Sequence, residues 1–320
     1  MPLNPKVAQL LDSIARSKFA PLYTLTPDAA RTSYARSAPI LDLPPAPLAA
    51  VEDLAVPSRD GAALRVRFYQ PTVPDWTQPA PALLFFHGGG FVVGSVDTHD
   101  SLCRIVARDA GCMVLSVDYR LAPEHKFPVA VEDAFDVLQW LFANALSLGI
   151  DPARIAIGGD SAGGTLATVC AVLARDQGWR LVLQLLIYPG VGAHQATDSH
   201  AEFRSGYFLS GETVDWMFSQ YVHNRAERDD WRFAPLDGTL NAPASFAGLA
   251  PAWIAAAEFD PLVDEDRAYA DKLSNAGNEV TLRVYEGMVH EFFKMGRFVP
   301  EVAQAHADAI EALKKAFEAD

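Results

Sequence analysis

The sequence predicts an α/β fold, a mostly parallel sheet flanked by helices and roofed by a helical cap. Three observations carry this. Six strongly apolar runs recur at 82–86, 113–117, 154–158, 181–188, 252–257 and 280–285, as strands buried on both faces require. Helical patterns at about 100–109, 129–147, 162–175, 262–275 and 301–318 alternate with them, which is the α/β signature. The glycine-rich "IGGDSAGGTL" (157–166) joins one apolar run directly to an alanine-rich helix.

In chain order, the first ~45 residues are partly helical and end in "PPAP" (44–47), outside the alternation. The segment 51–70 reads as two strands around the turn "SRDG", the second with alternating residues in "ALRVRFY". Strand and helix then alternate to about 189. The stretch 190–245 is rich in aromatic residues and interrupts the pattern. The expected division is an N-terminal cap segment (1–48), the first part of the core (49–189), a cap insertion (190–245) and the second part of the core (246–320). The two cap pieces are expected over the sheet edge where open α/β folds bind ligands.

Composition narrows the function. Half of the 320 residues are hydrophobic, yet no apolar run is long enough to span a membrane. The opening "MPLNPKVAQLLDSIARSKFA" has no hydrophobic signal core, so a cytoplasmic protein is expected. Cys103, Cys112 and Cys170 lie in apolar segments without metal-type spacing and read as free thiols of a reducing compartment. A formal net charge of -14 argues against nucleic acid and anionic membranes as partners.

The turn Gly159–Gly163 is a Gly-x-Ser-x-Gly arrangement between strand and helix. Its glycines permit a sharp elbow, and Ser161 projects at a helix N-terminus, where developing negative charge is favoured. A serine hydroxyl needs a base, and the base an orienting carboxylate. Of the histidines after Ser161, His194, His200 and His223 fall in the cap, and His306 is expected on a solvated helix face. His290 follows the last strand and is the expected base. Asp260 lies just past the preceding strand and is the preferred acid, with Glu258 and Asp264 as alternatives. Asp264 would otherwise cap the next helix, as would Asp260. The loop "FFHGGGFVVG" (85–94) offers glycine amides for an oxyanion, with the Ala162 amide as companion. It lacks the Lys-Ser/Thr of a phosphate-binding loop. His87 reads as a residue that shapes this loop.

Taken together, "HGGGF", "YRLAPEHKFP", "GDSAGG", "DPLVDE" and "VHEF" resemble the hormone-sensitive-lipase-like esterases, a bacterial branch of the α/β-hydrolases, from about residue 50 onward. The resemblance implies an eight-stranded sheet, Ser161 as nucleophile with Asp260 and His290, and Gly88, Gly89 and Ala162 as oxyanion donors. It implies dimerisation through an edge strand near 280–285, and no metal or organic cofactor. Arg120 and Glu124 are expected to buttress the site as an ion pair.

The expected activity is hydrolysis of short- to medium-chain esters. An amidase, lactonase or peptidase on the same triad, and a non-catalytic receptor on the same fold, remain alternatives. Pocket walls are expected from Phe91, Tyr188, Phe208 and Trp216, with Phe203, Tyr207, Phe218 and Tyr221 adding aromatic volume to the roof.

Overall fold

The structure, a computed structural model, describes residues 2–17, 19–72 and 78–319. Eight strands form one sheet: β1 (Ala50–Pro57), β2 (Ala63–Gln70), β3 (Ala80–Phe86), β4 (Met113–Asp118), β5 (Ile150–Asp160), β6 (Gln184–Ile187), β7 (Ala252–Phe259) and β8 (Val280–Val289). Their spatial order is β1-β2-β4-β3-β5-β6-β7-β8. The β1–β2 and β2–β4 pairs are antiparallel, and the rest are parallel.

The apolar runs are explained by two covered faces. In β3, Leu84 and Phe86 enter one core with α4 (Val129–Asn144), α5 (Ala162–Asp176) and α8 (Val263–Asn275). Leu83 and Phe85, one residue out of phase, enter a second core with α3 (Asp100–Ala110) and α9 (Val302–Glu318). A strand with no solvent face favours apolar residues at successive positions.

Expected and observed boundaries differ where a neighbour intervenes. The run 181–188 pairs as a parallel strand over Gln184–Ile187, and Val182 ahead of it also donates to Ile155 O of β5. The last strand continues to Val289 and so delivers His290 directly. The helix expected at 129–147 stops at Asn144 and tightens into a 3₁₀ turn ending at Gly149, whose φ of 72° is left-handed.

Outside the sheet layers lie α1 (Pro5–Ala15) and α2 (Pro27–Leu41), and, between β6 and β7, α6 (Asp198–Glu202) and α7 (Gly211–Tyr221). The 3₁₀ turn Leu22–Thr24 packs on α7, so the N-terminal segment and the insertion meet. Among the described residues, no helix is long and apolar enough to cross a membrane. Cys103, Cys112 and Cys170 are free and buried.

Candidate active site

Ser161 stands between β5 and α5 with φ 52° and ψ -119°, a strained backbone for a non-glycine residue. Close packing makes the elbow possible. A Cβ on Gly163 would lie 1.9 Å from the carbonyl oxygen of Phe86, and one on Gly159 would lie 2.4 Å from Gly163 backbone. Only glycine lets α5 leave the sheet this tightly.

The β8 extension brings His290 to the same point. Asp260 Oδ2 accepts a hydrogen bond from His290 Nδ1 at 2.6 Å. This leaves Nε2 unprotonated, 2.9 Å from Ser161 Oγ, which donates to it. Asp260 and His290 are both buried. Burial alone would lower the His290 pKa. The Asp260 carboxylate outweighs it, with Glu291 and Asp160 adding to the effect, and raises it above the ordinary histidine value.

The alternative acids are occupied elsewhere. Glu258 Oε2 accepts from Gly287 N at 2.7 Å. Asp264 is not the cap of α8 that the sequence suggested. Its carboxylate accepts from Ser199 N, 2.9 Å away, and from Arg267. Asp260 itself meets the start of that helix, since its Oδ1 accepts from Leu262 N at 3.0 Å.

The glycine loop corrects an expectation. Gly88 is not a free oxyanion donor, because its amide donates to Asp160 Oδ1 at 2.9 Å. That carboxylate also explains the glycine, as a Cβ at Gly88 would meet Asp160 Oδ2 at 2.5 Å. Gly89 (φ 122°) and Gly90 (φ 57°) follow in left-handed conformations. Among the described residues, the amides of Gly89, Gly90 and Ala162 have no protein acceptor. The signal for this shift was the buried Asp160 inside "GDSAG", which needs a donor close by. Its other oxygen accepts from His99 Nε2 at 3.1 Å. Burial opposes charge on Asp160, but His99, then Lys294 and His87, hold its pKa below the usual carboxylate range.

His87 shapes this loop. It is fully buried, its Nδ1 donates to Gly88 O at 2.8 Å, and its ring stacks on Tyr119. Burial, reinforced by His99, pushes its pKa down to about 4.

A cleft with about 580 Å³ of empty space, counting its open mouth, begins at Ser161 and Ala162. Phe91, Met217, Phe218 and Phe233 form its apolar wall. Glu265, to which no local sequence signal points, also lines it. It accepts from Val191 N at 2.9 Å, and burial pushes its pKa up to about 8. Of the four expected pocket residues only Phe91 lines this cleft. Tyr188 is buried beneath His290, its ring centroid 4.7 Å from the imidazole. Phe208 packs toward the core of α3 and α9, and Trp216 sits on another face of α7 from Val214, Met217 and Phe218. Phe203 and Tyr207 pack on Phe259.

Two further expectations fail for tertiary reasons. His306 is buried, with Nε2 donating to Phe293 O at 2.8 Å, because its face of α9 closes the second core. Arg120 does not pair with Glu124. It binds buried Asp133 and Asp60, each at 2.7 Å, while Glu124 takes Arg31 of α2.

A family profile described as alpha/beta hydrolase fold matches residues 83–294. The ethyl acetate hydrolase of Pseudomonas putida is 39% identical over 321 residues, 98% of this chain and 99% of that protein. Carboxylesterase NlhH of Mycobacterium tuberculosis is 41% identical over 257 residues, 79% of either chain. A hyperthermophilic esterase of Pyrobaculum calidifontis matches with TM-score 0.90 at 36% identity, covering 98% of this chain and 99% of that one. An ester-hydrolase from the metagenome of Lake Arreo, solved with a bipyridine phosphonate derivative, matches with TM-score 0.92 at 36% identity, covering 99% and 100%.

Proposed function

Because the chain belongs to the α/β-hydrolase family, in its hormone-sensitive-lipase-like esterase branch, we propose that it hydrolyses short- to medium-chain carboxylic esters through an acyl-enzyme on Ser161. The supporting observation is the unbroken Ser161–His290–Asp260 hydrogen-bond chain, 2.9 Å and 2.6 Å long. His290 takes the Ser161 proton as the hydroxyl attacks the ester carbonyl, and Asp260 holds the imidazole in the tautomer that can accept it. The amides of Gly89, Gly90 and Ala162 receive the oxyanion at the positive end of α5. His290 then protonates the leaving alcohol, and water repeats the sequence on the acyl-enzyme.

The cap in this reading comprises residues 1–48 and 190–245. The three buried thiols suit the cytoplasm. The 280–285 segment of β8, at the end of the sheet, supports pairing of two copies into a homodimer. The activity is tested with a panel of nitrophenyl esters and amides, before and after a serine-directed phosphonate. Ester turnover abolished by the phosphonate is expected. A preference for amides would transfer the triad to another bond.

The acyl chain is expected to be short, with kcat/KM rising from acetyl to a maximum at about four to eight carbons and falling beyond. Each buried methylene contributes about 0.8 kcal/mol until the apolar wall is filled. Met217, Phe218 and Phe233 close that wall. The relative named for ethyl acetate supports the short end of the range. Assays of nitrophenyl esters from two to sixteen carbons decide it, and a maximum at about twelve or more would refute the cap as a length limit.

The pH profile is set by His290. It acts as a base only when neutral, so kcat/KM falls as pH drops through its pKa. Asp260 raises that pKa, and the acid limb is therefore expected above the ordinary value of about 6.5. A limb well below that value would show that another group is the base.

A further inference from the structure

The N-terminal helix α2 touches both halves of the catalytic machinery through one face. Arg31 and Tyr34 lie three residues apart on it, and so project side by side. Arg31 Nε donates to Val92 O at 2.9 Å, and its Nη2 donates to Ala122 O at 2.7 Å. Val92 stands two residues beyond Gly90, and its amide closes the glycine turn by donating to Gly89 O. Tyr34 Oη donates to Glu291 Oε1 at 3.0 Å. Lys294 Nζ donates to Tyr34 Oη at 2.5 Å and lies 3.3 Å from Glu291 Oε2. Tyr34 and Lys294 are buried.

Glu291 directly follows His290. Its φ of 63° is left-handed, a conformation that L-residues with long side chains avoid, and one that persists only where neighbours impose it. Here the carboxylate is fixed by a buried tyrosine and a buried lysine. A buried lysine is costly without a partner, so the Tyr34–Lys294–Glu291 cluster stands or falls as a unit. Both contacts come from α2 and not from the cap insertion.

We propose that α2 is a positioning element of the active site: Arg31 sets the oxyanion loop through Val92 O, and Tyr34, with Lys294, sets the His290 loop through Glu291. The inference rests on the reading of Ser161, His290 and the Gly89 and Gly90 amides given above. It makes the N-terminal segment part of the catalytic geometry as well as part of a roof. Neither residue touches substrate. Each acts on the placement of a group that does.

The test compares Tyr34→Phe, Arg31→Lys and the double variant with the wild type, at a temperature where circular dichroism shows all of them folded. With the best nitrophenyl ester, each single change is expected to lower kcat about tenfold while KM moves less than about twofold, since small misplacements act on the transition state. The Ki of a trifluoromethyl ketone, which mimics the tetrahedral state, should rise by the same factor as kcat/KM falls. Amide hydrogen exchange gives a readout that needs no turnover. Tyr34→Phe should speed exchange over 288–293, and Arg31→Lys over 89–93. Unchanged kcat and exchange in folded variants would overturn the proposal, even if their melting temperatures fell, because α2 would then be only a scaffold. A wild-type protein that turns over no ester would remove the esterase reading instead, and the exchange data would still decide whether α2 holds the two loops. If Tyr34→Phe does not fold, Arg31→Lys alone decides the oxyanion-loop half, and Lys294→Met decides the histidine-loop half.

Discussion

Replacing Ser161 by alanine is expected to abolish ester hydrolysis and leave the fold in place. Among the described residues the side chain makes a single hydrogen bond, its Oγ donating to His290 Nε2. The backbone supports around it do not depend on the hydroxyl. Ser161 N donates to Ile187 O, and Ser161 O accepts from Thr165 N and Gly190 N. Alanine retains the Cβ, so the unusual φ of 52° carries no new penalty. Loss of a triad nucleophile lowers kcat by on the order of 10⁶-fold. The variant is to be purified, compared by circular dichroism with the wild type, and assayed on the preferred nitrophenyl ester. A folded variant keeping more than a few per cent of wild-type activity would remove Ser161 from the mechanism.

The second large effect is expected from Asp260→Asn, a change of one atom. Among the described residues the Asp260 carboxylate has two partners that both donate: Leu262 N to Oδ1 and His290 Nδ1 to Oδ2. Asparagine satisfies only one of them as an acceptor. With its carbonyl oxygen kept on the Leu262 amide, its NH₂ group faces Nδ1, which must then be unprotonated. The proton moves to Nε2, where it meets the Ser161 hydroxyl, and the imidazole no longer accepts. A wrong tautomer with intact geometry costs on the order of 10⁴-fold in kcat. The loss should ease at high pH only to the extent that the serine ionises without its base. A fall of less than about tenfold would show that Asp260 acts chiefly as the cap of α8. Measuring kcat and KM for both variants on one ester separates these outcomes.

The sequence carried the parts of this protein that are local. Six apolar runs with helices between them dictated the parallel sheet, because a strand covered on both faces favours apolar residues at successive positions. The elbow was legible because Gly159 and Gly163 are demanded by contacts within a few residues or with the adjacent strand end. His290 could be singled out because it directly follows the last strand, and Asp260 could be preferred because it follows the strand before it.

Tertiary contacts decided the rest. The Gly88 amide was assigned to the wrong partner because its acceptor, Asp160, lies 72 residues away. His306 sits on a helix face whose burial depends on where α9 docks. Arg120 chose Asp133 over nearby Glu124, and Glu124 chose Arg31, 93 residues away. The pocket wall was harder still, since aromatic residues at helical spacing satisfy a core and a ligand cleft equally well. Only the docking of α7 turned Met217 and Phe218 inward and Trp216 aside. Periodicity and turn chemistry report what a residue needs from its immediate neighbours. A buried polar group or an aromatic ring needs a partner from anywhere in the chain, and only the packed structure identifies it.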